Sequence, residues 1–225
     1  MAEKKKKAAA QPEAPQDDAA LKEAVLAAAL PDAAFDGFTD AALAKAAKSA
    51  GLEKDDVARL FPEGPLSLIE FYSLWADGQM EKLLAQMDLA KMKIRERIAA
   101  AVLARLSVLR PNKEAARRAG ASLSLPMHAS LAARLMYHSV DAMWRAVGDT
   151  STDFNFYTKR GILAGVYGAT LLRWFNDTSE EETVTSEFLA ASIENVMQFE
   201  KLKAGAKKAL GNFPAFGDWL KPKAK

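Results

Sequence analysis

Cysteine is absent from all 225 residues, and histidine occurs only twice. Without a thiol, the chain has no disulfide framework, no cysteine nucleophile and no cysteine ligand for a metal. His128 and His138 are ten residues apart, so they do not form the i, i+4 pair that binds a metal on one helix face. The sequence also lacks a P-loop and a Glu-x-x-His pair. We therefore predict no catalytic residues, no metal and no cofactor.

The central part of the chain has no apolar run long enough to span a membrane. The uncharged stretch Gly161–Leu172 falls short of the roughly 20 residues that a bilayer requires. A formal charge of +2 indicates no polyanionic partner. The N-terminal MAEKKKK has neither the apolar core of a signal peptide nor the arginine and serine content of a transit peptide. We expect residues 1–18 to be the disordered tail of a cytoplasmic bacterial protein.

Half of the residues are hydrophobic, and alanine and leucine dominate over β-branched types. This composition favours an all-α protein, with a chain long enough for one or two domains and a real core. Turn signals and shifts in composition predict four segments. These are a disordered tail at 1–18, a helix-turn-helix-like module at 19–64, a helical lipid-binding and dimerisation bundle at 65–210, and a basic aromatic tail at 211–225.

The run GFTDAALAKAAKSAGLEKDDVARLF has the helix, glycine turn and helix of a DNA-binding module. It resembles the N-terminal module of the TetR regulators, which implies a TetR-like fold. Three carboxylates, Glu53, Asp55 and Asp56, stand where a recognition helix would approach phosphates. We therefore predict a vestigial helix-turn-helix that packs but binds no nucleic acid. A TetR-type, ligand-responsive transcription regulator remains the alternative.

The segment from Gly148 to Glu182 carries the strongest turn and cap signals. Gly148 is suited to close the preceding helix in a left-handed cap, and one of residues 151–153 to begin a helix ending near Phe175. Ser179 and Glu182 match a capping box for the last helix. Gly161, Gly165 and Gly168 lie near one stripe of the central helix. This stripe favours either close approach of a second helix or room for a ligand.

Three long helices share a set of apolar side chains rich in methionine, leucine, tryptophan and tyrosine. The residues alone favour a plain core, whereas a cavity for a flexible apolar ligand is the functional alternative. Under the second reading the lipid-binding residues are Leu103, Leu106, Leu135, Met136, Val140, Met143, Trp144, Leu163, Val166 and Tyr167.

The string GDTSTDFNFYTKRGILAGVY, preceded by Asp141, Met143 and Trp144, is long and idiosyncratic. It resembles the ubiquinone-biosynthesis accessory proteins, the ninth family of the coenzyme Q set, over about residues 135–180. Phe156 stands where that family usually has Trp, and Lys159 where Arg is usual.

The resemblance implies a non-catalytic protein that binds an isoprenoid quinone or a phospholipid. It would present the lipid to the demethoxyubiquinone hydroxylase or a related hydroxylase. The residues in the partner-binding positions are Asp149, Asp153, Phe156, Tyr157 and Arg160. A homodimer is expected with this fold, and an enzyme with an unrecognised site is a weaker alternative.

The C-terminal end combines seven lysines after residue 200 with aromatic and aliphatic side chains. That combination is typical of a segment lying on an anionic membrane surface, although a solvated tail has the same composition. The expected location is therefore peripheral, on the inner face of the cytoplasmic membrane. The predicted membrane-binding residues are Phe213, Phe216, Trp219 and Leu220.

Overall fold

A computed structural model describes residues 18–150 and 154–211, with side-chain surroundings for 18–150 and 156–199. Within those ranges the regular elements are helices and no strand occurs, which confirms the all-α prediction. Short 3₁₀ turns lie at residues 89–91, 110–112, 126–128 and 180–182. The α-helices are α1 (Asp18–Asp36), α2 (Asp40–Ser49), α3 (Lys54–Leu60), α4 (Pro65–Leu84), α5 (Ile94–Leu109), α6 (Lys113–Leu123), α7 (Ala129–Ala146), α8 (Phe154–Phe175) and α9 (Thr183–Gly211).

The described residues fall into two compact units. Unit 1 contains the chain up to Trp75 together with Asn112–Ala132, and unit 2 contains Ala76–Pro111 and the chain from Ala133 onward. Unit 1 is thus larger than the module expected at residues 19–64. It also takes in α6 and the first turn of α7.

In unit 1, α1 packs against α2 and α6. Its buried residues recur at three- and four-residue steps, as expected for the core face of a helix: Val25, Leu26, Ala29, Leu30 and Ala33. Helix α1 contains Pro31 in its interior and continues through it to Asp36. Thr39 caps the start of α2, because its Oγ1 accepts the Ala42 N–H at 3.1 Å.

In unit 2, α7 ends in the predicted left-handed glycine cap. Gly148 has φ +88°, its N–H donates to the Arg145 carbonyl oxygen at 3.0 Å, and the Asp149 N–H donates to that of Trp144 at 2.9 Å. This bond pair is the Schellman motif, which satisfies the last carbonyls of a helix. The predicted helix to Phe175 is confirmed as α8. Residues 151–153, which hold the expected cap of α8, lie outside the described part.

The predicted capping box at Ser179 and Glu182 is wrong. Glu182 has φ +58° in a 3₁₀ turn, and its carboxylate accepts from Arg110 Nε at 3.1 Å instead of reaching back to Ser179. Helix α9 begins only at Thr183. Its free N–H groups at positions 184 and 185 donate to Ser179 Oγ at 3.2 Å and to Asp177 Oδ2 at 2.8 Å. A carboxylate two residues upstream of Ser179 therefore caps the helix.

No helix in the described part of the chain combines the length and the apolar character that a membrane crossing requires.

Candidate functional site

A buried cluster of charges lies between the end of α7 and the first turns of α8. The Arg160 side chain is 3% exposed, and its Nε donates to Asp141 Oδ1 at 2.6 Å. Arg160 Nη1 donates to Asp149 Oδ2 at 3.2 Å, and Lys159 Nζ donates to Oδ1 of the same carboxylate at 2.9 Å. Arg145 pairs with the second oxygen of Asp141. Because each carboxylate is held by two cations, the cluster ties the end of α7 to the first turns of α8.

The predicted partner-binding residues divide into an inner and an outer group. Asp149 and Arg160 are bound to each other inside unit 2. Phe156 is half-buried, and the Arg160 guanidinium carbon lies 3.4 Å from its ring centroid. Tyr157 is 69% exposed, with its ring edge-on to that of Phe156 at 5.1 Å. Arg160 of the inner group therefore packs against Phe156, whose ring in turn contacts the exposed Tyr157. The fifth predicted residue, Asp153, lies outside the described residues.

A cavity of about 270 Å³ lies in unit 2 where four helices meet. Its wall is almost wholly apolar, with two cations and one hydroxyl among the lining side chains. Helix α5 contributes Ile94, Arg95 and Ile98. Trp144 comes from α7. Helix α8 supplies Thr158, Lys159, Ile162, Leu163 and Val166, and α9 supplies Ile193, Val196 and Met197.

Trp144 is the aromatic part of the cavity wall, and its position is fixed by the neighbouring helix. Its indole Nε1 donates to the Lys159 carbonyl oxygen at 3.3 Å. The Lys159 ammonium lies 5.4 Å from the indole ring centroid, within the range of a cation–π interaction. The hydrogen bond satisfies the indole N–H, and the ammonium contacts the face of the ring. The indole can then contribute apolar surface to the cavity without leaving a buried donor unpaired.

Three of the ten predicted lipid-binding residues line this cavity: Trp144, Leu163 and Val166. The other seven are not in its wall. Leu103 is 38% exposed, and Met136 lies against Gly168. Helical spacing identifies buried positions but cannot tell whether the space beside them is filled. The remaining five belong to the buried core: Leu106, Leu135, Val140, Met143 and Tyr167.

The sequence analysis missed most of the cavity wall. Nine lining residues were not predicted, although a signal for several was available. Isoleucine and valine recur at four-residue steps, as in Ile94 with Ile98 and Ile162 with Val166, and α9 carries a similar group. β-branched side chains are unusual on otherwise alanine- and leucine-rich helices, so their positions were the available clue.

A second buried cluster of polar groups joins α4, α5, α7 and α8 within unit 2. Arg105 Nε donates to Asp77 Oδ1 at 2.6 Å, and Arg105 also donates to the Tyr167 hydroxyl. Ser139 Oγ donates to Asp77 Oδ2 at 3.1 Å, and Nδ1 of the half-exposed His138 lies 3.0 Å from the same oxygen. Burial raises the pKa of the Tyr167 hydroxyl, and Asp77 adds to the rise while Arg105 opposes it. The hydroxyl therefore stays protonated at neutral pH.

Helix α3, the counterpart of a DNA-recognition helix, presents acidic side chains. Glu53 and Asp55 are exposed. Arg59, one of the two cations of α3, is paired with Asp18 at 2.7 Å and with Asp56 at 3.5 Å. The hydrogen bond to Asp18 raises the pKa of Arg59. The exposed carboxylates at the start of α3 disfavour the approach of phosphates, and the absence of nucleic-acid binding stays a prediction.

Both histidines of the chain lie among the described residues. His128, whose Nδ1 lies 2.8 Å from the Ser122 carbonyl oxygen, and His138 each contact a neighbouring group of the chain. No group of three metal-ligating side chains occurs in the part of the chain that was described. The four membrane-binding residues predicted in the tail lie outside that part: Phe213, Phe216, Trp219 and Leu220.

The chain shares its fold with the TetR transcriptional regulator from Nitrosomonas europaea. The TM-score is 0.62 at 20% identity, with 78% of this chain and 97% of that chain covered. The TetR-like architecture is thereby confirmed, and at this identity the likeness concerns the fold alone.

Sequence comparison extends over most of the chain. The COQ9 family model matches residues 129–200, which include the charge cluster and the cavity-lining parts of α7, α8 and α9. The mitochondrial ubiquinone biosynthesis protein COQ9 of Bos taurus is 33% identical over 184 residues, 79% of this chain and 57% of that protein. Its counterpart in Rattus norvegicus is 34% identical, with 79% and 59% covered. The chain thus spans less than two thirds of the length of these relatives, and within that span it belongs to the COQ9 family.

Proposed function

We propose that this chain is a non-catalytic accessory protein of ubiquinone biosynthesis. In this proposal it holds an isoprenoid quinone intermediate, or a phospholipid, in the cavity between α5, α7, α8 and α9. The single observation that carries the proposal is the apolar cavity, because nine of its twelve lining residues lie within the COQ9-matching residues 129–200, among them Thr158 and Lys159 of the motif. The relatives are named ubiquinone biosynthesis proteins, which supports the pathway.

The physical reason for such a protein is the cost of moving a lipid through water. Each exposed CH₂ of a polyprenyl tail costs about 0.8 kcal/mol, so the tail leaves a bilayer only for another apolar environment. A cavity walled by isoleucine, valine, leucine and methionine provides that environment. The polar end of the lipid can then be presented to an enzyme that acts on it.

The partner that we propose is the demethoxyubiquinone hydroxylase or a hydroxylase of that step. Tyr157 supports a docking role, because it is an exposed aromatic in the first turn of α8, close in sequence to Arg160 of the buried charge cluster. Rigid aromatic side chains contribute much binding energy at little cost in conformational entropy. We propose that Asp149 and Arg160 act by positioning the first turns of α8.

A homodimer and a peripheral position on a membrane complete the proposal. Gly161, Gly165, Ala169 and Leu172 are exposed along one face of α8. A Cβ placed on Gly161 or Gly165 would meet no atom of the described residues within 4 Å, which leaves space for a second copy of the chain. The lysine-rich tail after residue 211 would lie on the anionic inner face of the cytoplasmic membrane.

The cavity is tested by filling it. We expect the purified wild-type protein to carry an isoprenoid or phospholipid, identified by native mass spectrometry and organic extraction. Val166→Trp places an indole in the cavity and should abolish the bound lipid. Ala133→Trp adds the same ring on an exposed position of α7 and should retain it. Thermal unfolding of both variants controls for overpacking. Wild-type preparations that contain no lipid would refute the proposed function.

A further inference from the structure

The cavity contains a feature that a purely apolar ligand does not require. Two cations, Arg95 and Lys159, lie in a wall that is otherwise apolar except for Thr158. Positioning charged groups beside an apolar surface is costly unless they are solvated or paired. Both side chains remain partly exposed, at 44% for Arg95 and 38% for Lys159. The wall of the cavity therefore contains positive charge that is still accessible from solvent.

The two cations differ in how firmly they are already held. Lys159 Nζ donates to Asp149 at 2.9 Å and lies over the Trp144 ring, so it belongs to the charge cluster of the loop. Arg95 faces Glu194 of α9 at 3.6 Å, beyond the 2.7–3.2 Å of a normal N–H···O hydrogen bond. Glu194 is itself 47% exposed. An exposed, loosely paired arginine of this kind gains about 0–1 kcal/mol from its partner and is easily recruited by another anion.

We propose that Arg95 is the head-group residue of the cavity, and that the preferred ligand is a single apolar chain ending in an anionic group. The apolar wall takes the chain. The guanidinium takes the phosphate or carboxylate in place of Glu194, which returns to water. Arginine suits this role because its planar donors match either anion in a bidentate arrangement. The inference rests on the proposed function, since it names the charge of the lipid that the cavity holds.

Glu194 determines the direction in which each substitution should change the binding of an anion. It lies on the same stretch of α9 as the cavity-lining residues Ile193, Val196 and Met197. Its carboxylate therefore competes with an incoming anion for Arg95. Removing Arg95 should weaken the binding of an anionic chain, and removing Glu194 should strengthen it. Neither change should affect a neutral chain of equal length.

The test uses the full-length protein and three probes of one chain length: dodecyl phosphate, dodecanoate and dodecanol. The affinity of each probe is measured by displacement of the neutral dye Nile red, at probe concentrations below the critical micelle concentration. We expect wild-type protein to bind at least one anion about five-fold more tightly than dodecanol. Arg95→Gln should remove this preference, and Glu194→Gln should increase it. Arg173→Gln, which removes an exposed arginine of α8 outside the cavity wall, should leave it unchanged.

The outcomes are distinct. The inference is supported if the wild-type protein prefers dodecyl phosphate, dodecanoate or both over dodecanol and if Arg95→Gln loses this preference. The preferred probe then identifies the anion. Equal binding of all three probes, or a preference that survives in Arg95→Gln, overturns the inference while leaving the apolar cavity intact. Failure of every probe, dodecanol included, to displace the dye would instead overturn the proposed function. Circular dichroism of each variant confirms that it is folded.

Discussion

Helix α3 in unit 1 and the first turns of α8 in unit 2 both carry charged side chains, but in opposite environments. On α3 the pair between Arg59 and Asp18 is more than half exposed, at 51% and 57%. At α8 the pair between Arg160 and Asp149 is 3% and 5% exposed. Exposed pairs contribute little because water solvates both ions, whereas breaking a buried pair leaves an uncompensated charge. The comparison shows that burial, not residue type, determines which charges hold the structure together.

The largest expected loss of stability comes from breaking the buried ion pairs of Arg160. Arg160→Gln leaves Asp141 and Asp149 with fewer donors, and we expect it to lower the free energy of unfolding by about 4 kcal/mol. Arg59→Gln should leave urea unfolding unchanged, because its partners Asp18 and Asp56 are solvated. Equal losses in the two variants would show that burial is not the deciding factor.

A smaller loss is expected in the second buried cluster. Arg105→Met should cost about 3 kcal/mol, because the remaining Asp77 carboxylate still contacts Ser139 and His138. Adding Asp77→Asn removes the stranded charge, so the double variant should be more stable than Arg105→Met alone. The measurement is a double-mutant cycle by urea unfolding. Additive losses would contradict the coupling.

Asp177 provides a smaller, pH-dependent effect at the partly exposed start of α9. Burial alone would raise the pKa of Asp177, but hydrogen bonds from Ser179 and Thr185 lower it well below its ordinary value. A depressed carboxyl pKa stabilises the fold above the unfolded-state value, near 4, and the contribution is lost as pH falls through the folded-state value.

Asp177→Ala should therefore cost about 1 kcal/mol at pH 7 and progressively less below pH 4. Urea unfolding from pH 7 to pH 3 measures the difference, with Thr178→Ala as a neighbouring exposed control. A difference that does not change across this range would exclude the carboxylate as its source.

A small effect on stability is expected at Tyr157, together with a large effect on partner binding. Because its side chain is 69% exposed, Tyr157→Ala should change the free energy of unfolding by less than about 0.5 kcal/mol. It should weaken co-purification with the proposed hydroxylase partner by about 30-fold, equivalent to 2 kcal/mol. Tyr137→Ala, on an exposed position of α7, is the control. Phe156 is less informative, because its ring packs against Arg160. Undiminished co-purification of Tyr157→Ala would rule out this docking surface.

The sequence by itself determined the helical architecture and most helix ends, because these depend on local signals. Alanine and leucine content, the Thr39 cap and the glycine at position 148 act within a few residues of chain. The same applies to the acidic character of α3. The sequence analysis missed the start of α9. Asp177, which precedes the predicted capping box of Ser179 and Glu182, caps this helix, and Glu181 and Glu182 adopt positive φ.

Only the tertiary structure decided which residues of the motif are buried and which apolar residues line a cavity. Asp149 and Tyr157 are eight residues apart in one motif, yet one is locked in a salt bridge and the other is exposed. The cavity combines residues from four helices that are distant in sequence, and a periodic pattern does not specify how much volume remains between them. Pairing, burial and empty space depend on all the helices at once, which is why only the packed structure determines them.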